Sequence, residues 1–444
     1  MTAPHRSVVI TGLGTICSIA DSPDTFWESL CDGTTSISAI ESFDASGFTS
    51  QLAGQVSAKV RDWVPKSYRK ATKVMARDTE LGVIAAKIAS DHAGLLTSGS
   101  DEGDTGFQIN PARTGCQIGA GLIAADTAEM SRAVVTATDS SGAFNTKEWG
   151  TEDDGQAGMN NLPPLWLLKY LPNMPACHVT IIHGLQGPSN TIMGAEAGAL
   201  LSIIESTRVI RRNAADMCLT GGAESRINPL GLLRWDYAGR LAESVADADP
   251  SEIIKPFDPS SQGSIMGEAG GMLVVEEETH ANKRGATAYA RITGYATTQS
   301  INPTLPIFDE DPADDEALSR AIDIAIAQAG LSPQDINAVL PLGIGDANLD
   351  AREAGAIRRS LGDHAETVPL VTLTERIGNT LSAHAGLMTA TGALILHHQH
   401  LPALTRTLNN SGVYTPDKNT PIQHILICTS SLAGQCSALV LSKI

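Results

Sequence analysis

The sequence predicts a layered α/β fold, and three features support that prediction. Its 444 residues are 42% hydrophobic and only 18% charged, so a large folded core is expected. The 41 glycines and the aromatic share of 4% indicate tight backbone packing filled by Ala, Leu, Ile and Val. Strand-like and helix-like segments alternate along the chain, which is typical of close-packed α/β layers.

The first half begins with a strand and continues with both kinds of segment. Residues 7–12 (SVVITG) form a β-branched run that ends in glycine. The apolar periodicity of residues 75–93 predicts a core helix. Residues 113–134 predict a glycine-rich turn leading into a helix, and residues 215–225 predict a buried strand. The half therefore mixes strands and helices in the order that an α/β domain requires.

The second half, from about residue 286, repeats a similar order of elements. Its segments are a strand at 288–296, a helix at 314–331, a strand at 336–343 and a hairpin-like pair at 424–431 and 436–443. We therefore expect two similar halves, residues 1–285 and 286–444.

Two further segments, residues 97–112 and 137–164, predict long loops because they are rich in Gly, Asn, Asp and Ser. Long loops in a compact domain are often functional.

The charge excludes two classes of partner. A net charge of −18 makes sequence-independent binding to nucleic acid or to an anionic membrane unfavourable, since both depend on Lys and Arg. No run approaches about 18 apolar residues, and the first residues lack the apolar run of a secretory signal. We expect a cytoplasmic protein.

Cofactor and metal sites are not predicted either. The GLG at residues 12–14 is not a dinucleotide loop, because Cys17 takes the place of the third glycine. The seven cysteines include no CxxC pair and are expected to be reduced core thiols. The HHQH run at 397–400 lacks the spacing of a zinc site and is interpreted as a solvated helix end.

Five separated blocks resemble the β-ketoacyl synthases, condensing enzymes of the thiolase fold, and together they span nearly the whole chain. The blocks are VVITGLGTICSIA (8–20, followed by FWESLCDGTTSI at 26–37), GPSNTIMGAEAGAL (187–200), KPFDPSSQGSIMGEAGGMLVVE (255–276), GDANLDAREAGAI (345–357) and SLAGQCSALVL (431–441). The resemblance implies a five-layer α-β-α-β-α arrangement of two similar halves, with dimerisation loops in residues 1–285.

The resemblance also implies that the catalytic side chains are absent. Active members use a cysteine, two histidines and a lysine. At the matching positions this chain has Glu196 for the cysteine, Leu342 and Thr380 for the histidines, and Glu375 for the lysine. His384 lies four residues beyond Thr380. No active catalytic residue is therefore expected.

The last block is altered as well. Leu432 takes the place of the gatekeeping Phe, whose backbone N–H helps to form the oxyanion hole, and Cys436 takes the place of an Asn. Cys436 is interpreted as a packed thiol, because it lies in a strand-like run without a positioned histidine.

These losses remove the chemistry of condensation. The reaction needs a thiolate to carry the acyl chain, and donors to stabilise the enolate left by decarboxylation. A glutamate is a poor acyl carrier, and neither Leu342 nor Thr380 can replace an imidazole. Two roles remain open for Glu196. It is either a buried acid paired with Arg234 or Lys255, or an internal anion that borders the vestigial oxyanion hole beside Leu432.

Within the family, a subunit that keeps the fold but lacks the cysteine resembles the chain-length factor of type II polyketide synthases. That resemblance implies a heterodimer with an active ketosynthase paralogue, contact with an acyl carrier protein, and a role in shaping the acyl tunnel. Ile123, Thr127 and Met130, on a helix expected at 122–130, are tunnel candidates. The usual chain-length factor has Gln where this chain has Glu196.

Two other functions stay open. One is a malonyl-carrier decarboxylase or hydrolase that uses Glu196 as a base, and the other is a structural or acyl-binding homodimer. Any dimer is expected to use the β-branched segment 176–185, interpreted as a strand, whose His178 and His183 are assigned to the core or the interface.

Overall fold

In a computed structural model, the chain contains a nine-stranded sheet. The structure describes residues 6–150, 157–300, 316–409, 414, 421–431 and 433–444. In chain order the strands are β1 (Val8–Ile16), β2 (Ser38–Ala39), β3 (Leu52–Gly54), β4 (Leu95–Leu96), β5 (Phe107–Gln108), β6 (Thr114–Ala120), β7 (Ser189–Met193), β8 (Met217–Glu224), β9 (Met266–Gly267), β10 (Ala269–Glu277), β11 (Ala290–Gln299), β12 (Ala338–Leu340), β13 (His424–Ser430) and β14 (Gln435–Ser442).

Helices lie on both faces of this sheet. They are α1 (Pro23–Asp32), α2 (Arg77–His92), α3 (Thr127–Thr136), α4 (Thr146–Gly150), α5 (Trp166–Lys169), α6 (Met174–His183), α7 (Gly198–Arg211), α8 (Pro229–Tyr237), α9 (Pro250–Ile253), α10 (Glu278–Lys283), α11 (Glu316–Gln328), α12 (Ala347–Leu361), α13 (Thr374–Ile377) and α14 (His384–His398).

The strand order shows two halves joined edge to edge. The order across the sheet is β12-β13-β14-β11-β1-β10-β8-β6-β7. Strands of the first half occupy one side and strands of the second half the other, and β1 pairs antiparallel with β11 at Val8–Ile10. The remaining strands form a three-stranded sheet, β2-β3-β9, and a two-stranded sheet, β4-β5.

The helices complete five layers. Helix α2 packs on the outer face of the first half, against β1, β8 and β10, while α11 packs on β11 and β14 of the second half. Helices α7 and α14 lie between, since α7 contacts β6 and β8 as well as β11 and β14, and α14 contacts β10 as well as β13. The predicted α-β-α-β-α arrangement is confirmed. The central layer carries the turns that hold the site.

Several predicted elements are confirmed, and two loops contain more structure than expected. The helix predicted at 75–93 is α2, the strand at 215–225 is β8, and the hairpin-like pair is β13 and β14, which run antiparallel. The segment 97–112 contains the short strand β5, and the segment 137–164 contains α4. Residues 151–156 lie outside the described part of the chain.

The prediction of a strand at 176–185 is wrong. This segment is helix α6, which has Pro175 in its first turn and ends at Gly184 with a φ of 68°. Proline at the start and a left-handed glycine at the end are helix boundary signals, and here they outweigh the β-branched content of VTII. The strand at the sheet edge is β7, which follows Gly187 instead of preceding it.

The helix predicted at 122–130 begins later than expected. Residues 114–120 form strand β6 instead of a turn, and helix α3 begins only at Thr127. Asp126 fixes that start, because its Oδ1 accepts a hydrogen bond from the backbone N–H of Ala128 at 2.7 Å. Ile123 therefore lies in the irregular segment before the helix, while Thr127 and Met130 lie on it.

Candidate functional site

Glu196 lies in a strained turn between strand β7 and helix α7. Ala195, just before it, has a φ of 45°, in the left-handed region that a residue with a Cβ rarely adopts. The Ala195 carbonyl accepts a hydrogen bond from Ser382 Oγ at 3.0 Å. The turn comes close to β6, because a Cβ on Gly119 would overlap the backbone of Gly198. Glu196 is 1% exposed, so the position that matches the nucleophile is deeply buried.

The cavity beside Glu196 is almost closed. Its volume is about 20 Å³, and its lining includes Glu196, Arg240, Leu342, Asp350, Glu353 and Ser430. A cavity of this size holds about one water molecule. An acyl thioester does not fit there in this conformation.

Backbone donors near Leu342 are already used by the chain's own carboxylates. The N–H groups of Leu342 and Gly343 donate to the two oxygens of Glu353, at 2.8 and 2.9 Å. The N–H groups of Gly345 and Phe257 donate to Asp350 Oδ2, at 3.1 and 2.9 Å. These hydrogen bonds hold the loop where the first histidine of the family would lie, and Leu342 adds no polar group.

Arg240 is the cation beside Glu196, and the sequence did not reveal it. It is 5% exposed, just after helix α8, and it lines the same cavity as Glu196. Burial lowers the pKa of Arg240, whereas the negative charges of Glu196 and Asp346 raise it. Nothing in the segment WDYAGRLA marks Arg240, because residues 196 and 240 meet only in the folded chain.

Arg240 is thus the cation that lines the cavity with Glu196, whereas the expected partners were Arg234 and Lys255. Lys255 Nζ donates to Glu252 Oε2 at 2.9 Å, and Arg234 lines a different cavity. The alternative role at the oxyanion hole depends on Leu432, which lies outside the described residues.

A buried acid completes the charge cluster. Burial raises the pKa of Asp350 to about 7, although the two backbone N–H groups that it accepts from act in the opposite direction. Below that pH Asp350 is neutral. At Arg240 the negative charge of Glu196 is attractive, and the positive charge of Arg352 is repulsive.

The other two altered positions lie apart from this cavity. Glu375 Oε1 accepts hydrogen bonds from Thr372 Oγ1 at 2.8 Å and from Arg406 Nη2 at 3.2 Å. Thr380 Oγ1 lies 3.2 Å from His384 Nδ1, and burial lowers the pKa of His384 to about 4. The structure thus brings Glu196 and Leu342 together on one cavity, while Glu375 and Thr380 belong to neighbouring hydrogen-bond groups.

One of the three predicted tunnel residues lines a larger cavity. Thr127 lines an opening of about 510 Å³. Ile123 is buried in an apolar cluster with Ala76, Ala125 and Tyr170, and Met130 packs against that cluster.

The residues assigned to the core have ordinary contacts. His178 Nδ1 lies 2.8 Å from Tyr68 Oη, and His183 Nδ1 lies 2.8 Å from Thr97 Oγ1. Cys436 is buried, with its Sγ 3.6 Å from the Gly434 carbonyl. Among the described residues, no three His, Cys, Asp or Glu side chains are grouped to hold a metal ion, and no helix is long and apolar enough to cross a membrane.

The contact between Glu196 and Arg240 predicts a large loss of stability for Glu196→Ala. The substitution leaves a buried guanidinium without its neighbouring carboxylate and should cost about 2–4 kcal/mol of unfolding free energy in urea titrations. The control is Glu205→Ala, whose partner Arg212 is largely exposed, and it should cost less than about 1 kcal/mol. Equal losses in the two variants would contradict the assigned contact.

Asp350 predicts a pH dependence of stability. Its pKa is about 7 in the folded chain and 3.8 in the reference state, so its contribution is fully present below about pH 4 and is lost as the pH rises to about 7. Relative to Asp350→Asn, the unaltered chain should lose on the order of 3 kcal/mol over that range. Urea titrations of both proteins at several pH values measure this difference, and a constant difference would refute the assignment.

Comparison with protein families gives two matches in sequence order. The N-terminal domain of β-ketoacyl synthases matches residues 5–281, and the C-terminal domain of β-ketoacyl synthases matches residues 289–407.

Relatives include proteins of polyketide and fatty-acid synthesis. A protein of Streptomyces rimosus named as an oxytetracycline polyketide β-ketoacyl synthase 1 is 27% identical, with 99% of this chain and 97% of the relative covered. A 3-oxoacyl-acyl-carrier-protein synthase 2 of Coxiella burnetii is 26% identical, with 99% of each chain covered.

Solved structures with the same fold include the ishigamide ketosynthase/chain length factor, at a TM-score of 0.77 and 21% identity, with 99% of this chain and 100% of that chain covered. A β-ketoacyl synthase from Burkholderia phymatum has a TM-score of 0.79 and 21% identity over the same shares. A complex of a type II polyketide acyl-carrier protein with its ketosynthase has a TM-score of 0.76 and 24% identity, also over these shares. The fold is that of the thiolase-type ketosynthases, and the chain belongs to the β-ketoacyl synthase family.

Proposed function

We propose that this chain is a non-catalytic subunit, similar to a chain-length factor, that pairs with an active ketosynthase and shapes its acyl tunnel. The observation that supports the proposal is the cavity lined by the buried side chains of Glu196 and Arg240, at the position that the family resemblance assigns to the nucleophile. The remaining cavity is about 20 Å³. Without a thiol or room for a thioester, the chain cannot be acylated there.

The proposed partner is an active ketosynthase paralogue, and an acyl carrier protein is proposed to deliver its substrates. Structures titled as a ketosynthase/chain length factor and as a ketosynthase with its acyl-carrier protein share the fold of this chain. In this scheme residues 1–285 and 286–444 act as the two halves of one subunit. The partner carries out every bond-forming step.

The surface near β7 supports the pairing. Strand β7 is the last strand of the sheet order, so in the described chain its outer edge has no neighbouring strand. Leu122 and Met193 are 56% and 50% exposed, and both line a cavity of about 310 Å³ that reaches Ala195. An uncovered strand edge with exposed apolar side chains favours a subunit interface. The acyl chain of the partner is proposed to cross the interface at this point.

The other functions have less support. A decarboxylase or hydrolase would need Glu196 to reach a substrate, yet Glu196 is 1% exposed beside Arg240. A structural or acyl-binding homodimer would use the same β7 edge. Co-purification with an intact ketosynthase that has the cysteine and both histidines would separate a heterodimer from a homodimer.

The proposal is tested by reconstitution. The chain and an intact ketosynthase, mixed with carrier protein and malonyl units, should form condensed products, whereas each subunit alone should form at most a trace. Replacement of the partner's cysteine should abolish product, while Glu196→Gln in this chain should keep most of the rate. Products from this chain alone would overturn the proposal.

Acyl thioesters and the inhibitor cerulenin should not label this chain, because position 196 has no sulfur and the cavity is closed. Intact-protein mass spectrometry should show an unchanged mass, with the active partner as the labelled control. Glu196→Cys should not restore condensation, because Arg240 still fills the site and Leu342, Glu375 and Thr380 are unchanged. Carbon–carbon bond formation by that single variant would contradict the assigned positions.

Met193→Asp should weaken subunit pairing, because it places a charge on the exposed apolar edge of β7. We expect the dissociation constant to rise at least about tenfold in light-scattering dilution series. The control is Ile324→Asp, because Ile324 is similarly exposed but lies on α11 of the other half. Equal effects of the two substitutions would exclude β7 as the interface.

A further inference from the structure

Two cavities border one group of buried charged side chains. The inner chamber, of about 310 Å³, is lined by Gly121, Leu122, Met193, Ala195, Trp235 and Ala238, among others. The outer chamber, of about 510 Å³, is lined by Phe43, Asp126, Thr127, Ala128, Tyr170 and Ile227, among others. Together they would hold a much longer chain than the inner chamber alone.

Three charged side chains stand between the chambers. Glu224 and Arg226 line the inner chamber, and Asp78 lines the outer one. Arg226 Nη1 lies 3.3 Å from Asp78 Oδ1, and Arg226 Nη2 contacts Glu224 Oε1. Asp78, Glu224 and Arg226 are here called the wall.

The wall is rigidly built. Its three side chains are 5% exposed or less. Arg226 Nη1 also donates to the Ser225 carbonyl at 3.0 Å, and Glu224 Oε2 accepts from the Ser382 N–H at 3.0 Å. A Cβ on Gly121 would overlap Glu224 Oε1 and Arg226 Nη2, so a larger residue there would displace the ends of both side chains.

Moving the apolar end of an acyl chain past the wall would carry a large free-energy cost. Passage would separate buried charges that have no water to solvate them, and breaking a buried ion pair costs several kcal/mol. The outer chamber is also charged, since Arg77, Asp78, Glu80, Asp126 and Lys169 line it. A saturated acyl chain gains little there, because those groups would have to lose solvent without gaining a partner.

We propose that the wall of Asp78, Glu224 and Arg226 is the stop that ends the acyl chamber in this subunit, and so determines the length of the product. This inference rests on the proposed function. In the unaltered protein the growing chain fills the inner chamber and halts at Arg226. The outer chamber, with Thr127, is reached only when the wall is removed.

The test uses the complex with the active ketosynthase. The triple variant Asp78→Ser/Glu224→Gln/Arg226→Ser removes the wall without leaving a lone buried charge, and Gln keeps an acceptor for the Ser382 N–H. Mass spectrometry of released products should show chains longer by one or more extension units. Adding Ala128→Trp, which fills the outer chamber, should remove that gain. Glu205→Ser/Arg212→Ser, at an exposed ion pair, is the control and should leave product length unchanged.

Two single variants keep the inference testable if the triple variant does not fold. Ala238→Phe fills the inner chamber and should shorten the product, whereas Ala128→Trp in the unaltered wall should leave its length as it is. Shorter products with Ala128→Trp alone would show that the chain already enters the outer chamber, and would overturn the inference. A folded triple variant with products of unchanged length would overturn it too. A complex of unaltered subunits that makes no product would instead reject the proposed function.

Discussion

The close packing around Ser382 is the constraint on which the Glu196 turn and the wall both depend. Its Oγ donates to the Ala195 carbonyl and its N–H donates to Glu224, so one residue joins the Glu196 turn to the wall. This approach requires small neighbours, because a Cβ on Gly198 or Gly222 would come too close to Ser382. The Glu196 turn is thus packed closely against the segment that contains Ser382.

The close packing of the Glu196 turn explains why the charged residues near it occur in groups. A cavity of about 20 Å³ has room for about one water molecule and gives a buried carboxylate little solvation, and the positive charge of Arg240 offsets that cost for Glu196. Glu353 accepts hydrogen bonds from two backbone N–H groups, and Asp350 avoids the cost by staying protonated up to about pH 7. Glu196, Glu353 and Asp350 are thus stabilised in different ways in the same buried region.

Local patterns predicted most of the fold, and long-range contacts account for what they missed. The periodicity of residues 75–93 and the blocks shared with the family were sufficient to predict α2 and the five layers. The segment 176–185 was mistaken for a strand because β-branched residues were given more weight than Pro175 and Gly184. Arg240 could not be found, since its meeting with Glu196, 44 positions away, depends on how α8 packs.

The Glu196–Arg240 pair and the wall differ in how readily substitutions could alter them. Glu196 and Arg240 depend on each other for stability, because changing either residue alone leaves the charge of the other one buried. Single substitutions at this pair are therefore disfavoured. The wall is also ionic, but it borders two chambers, so a neutral replacement of the whole triad leaves space that a ligand can occupy. If the proposed function is correct, selection on this subunit acts through the shape of those chambers, and residues such as Gly121 and Arg226 matter more than the vestigial catalytic positions.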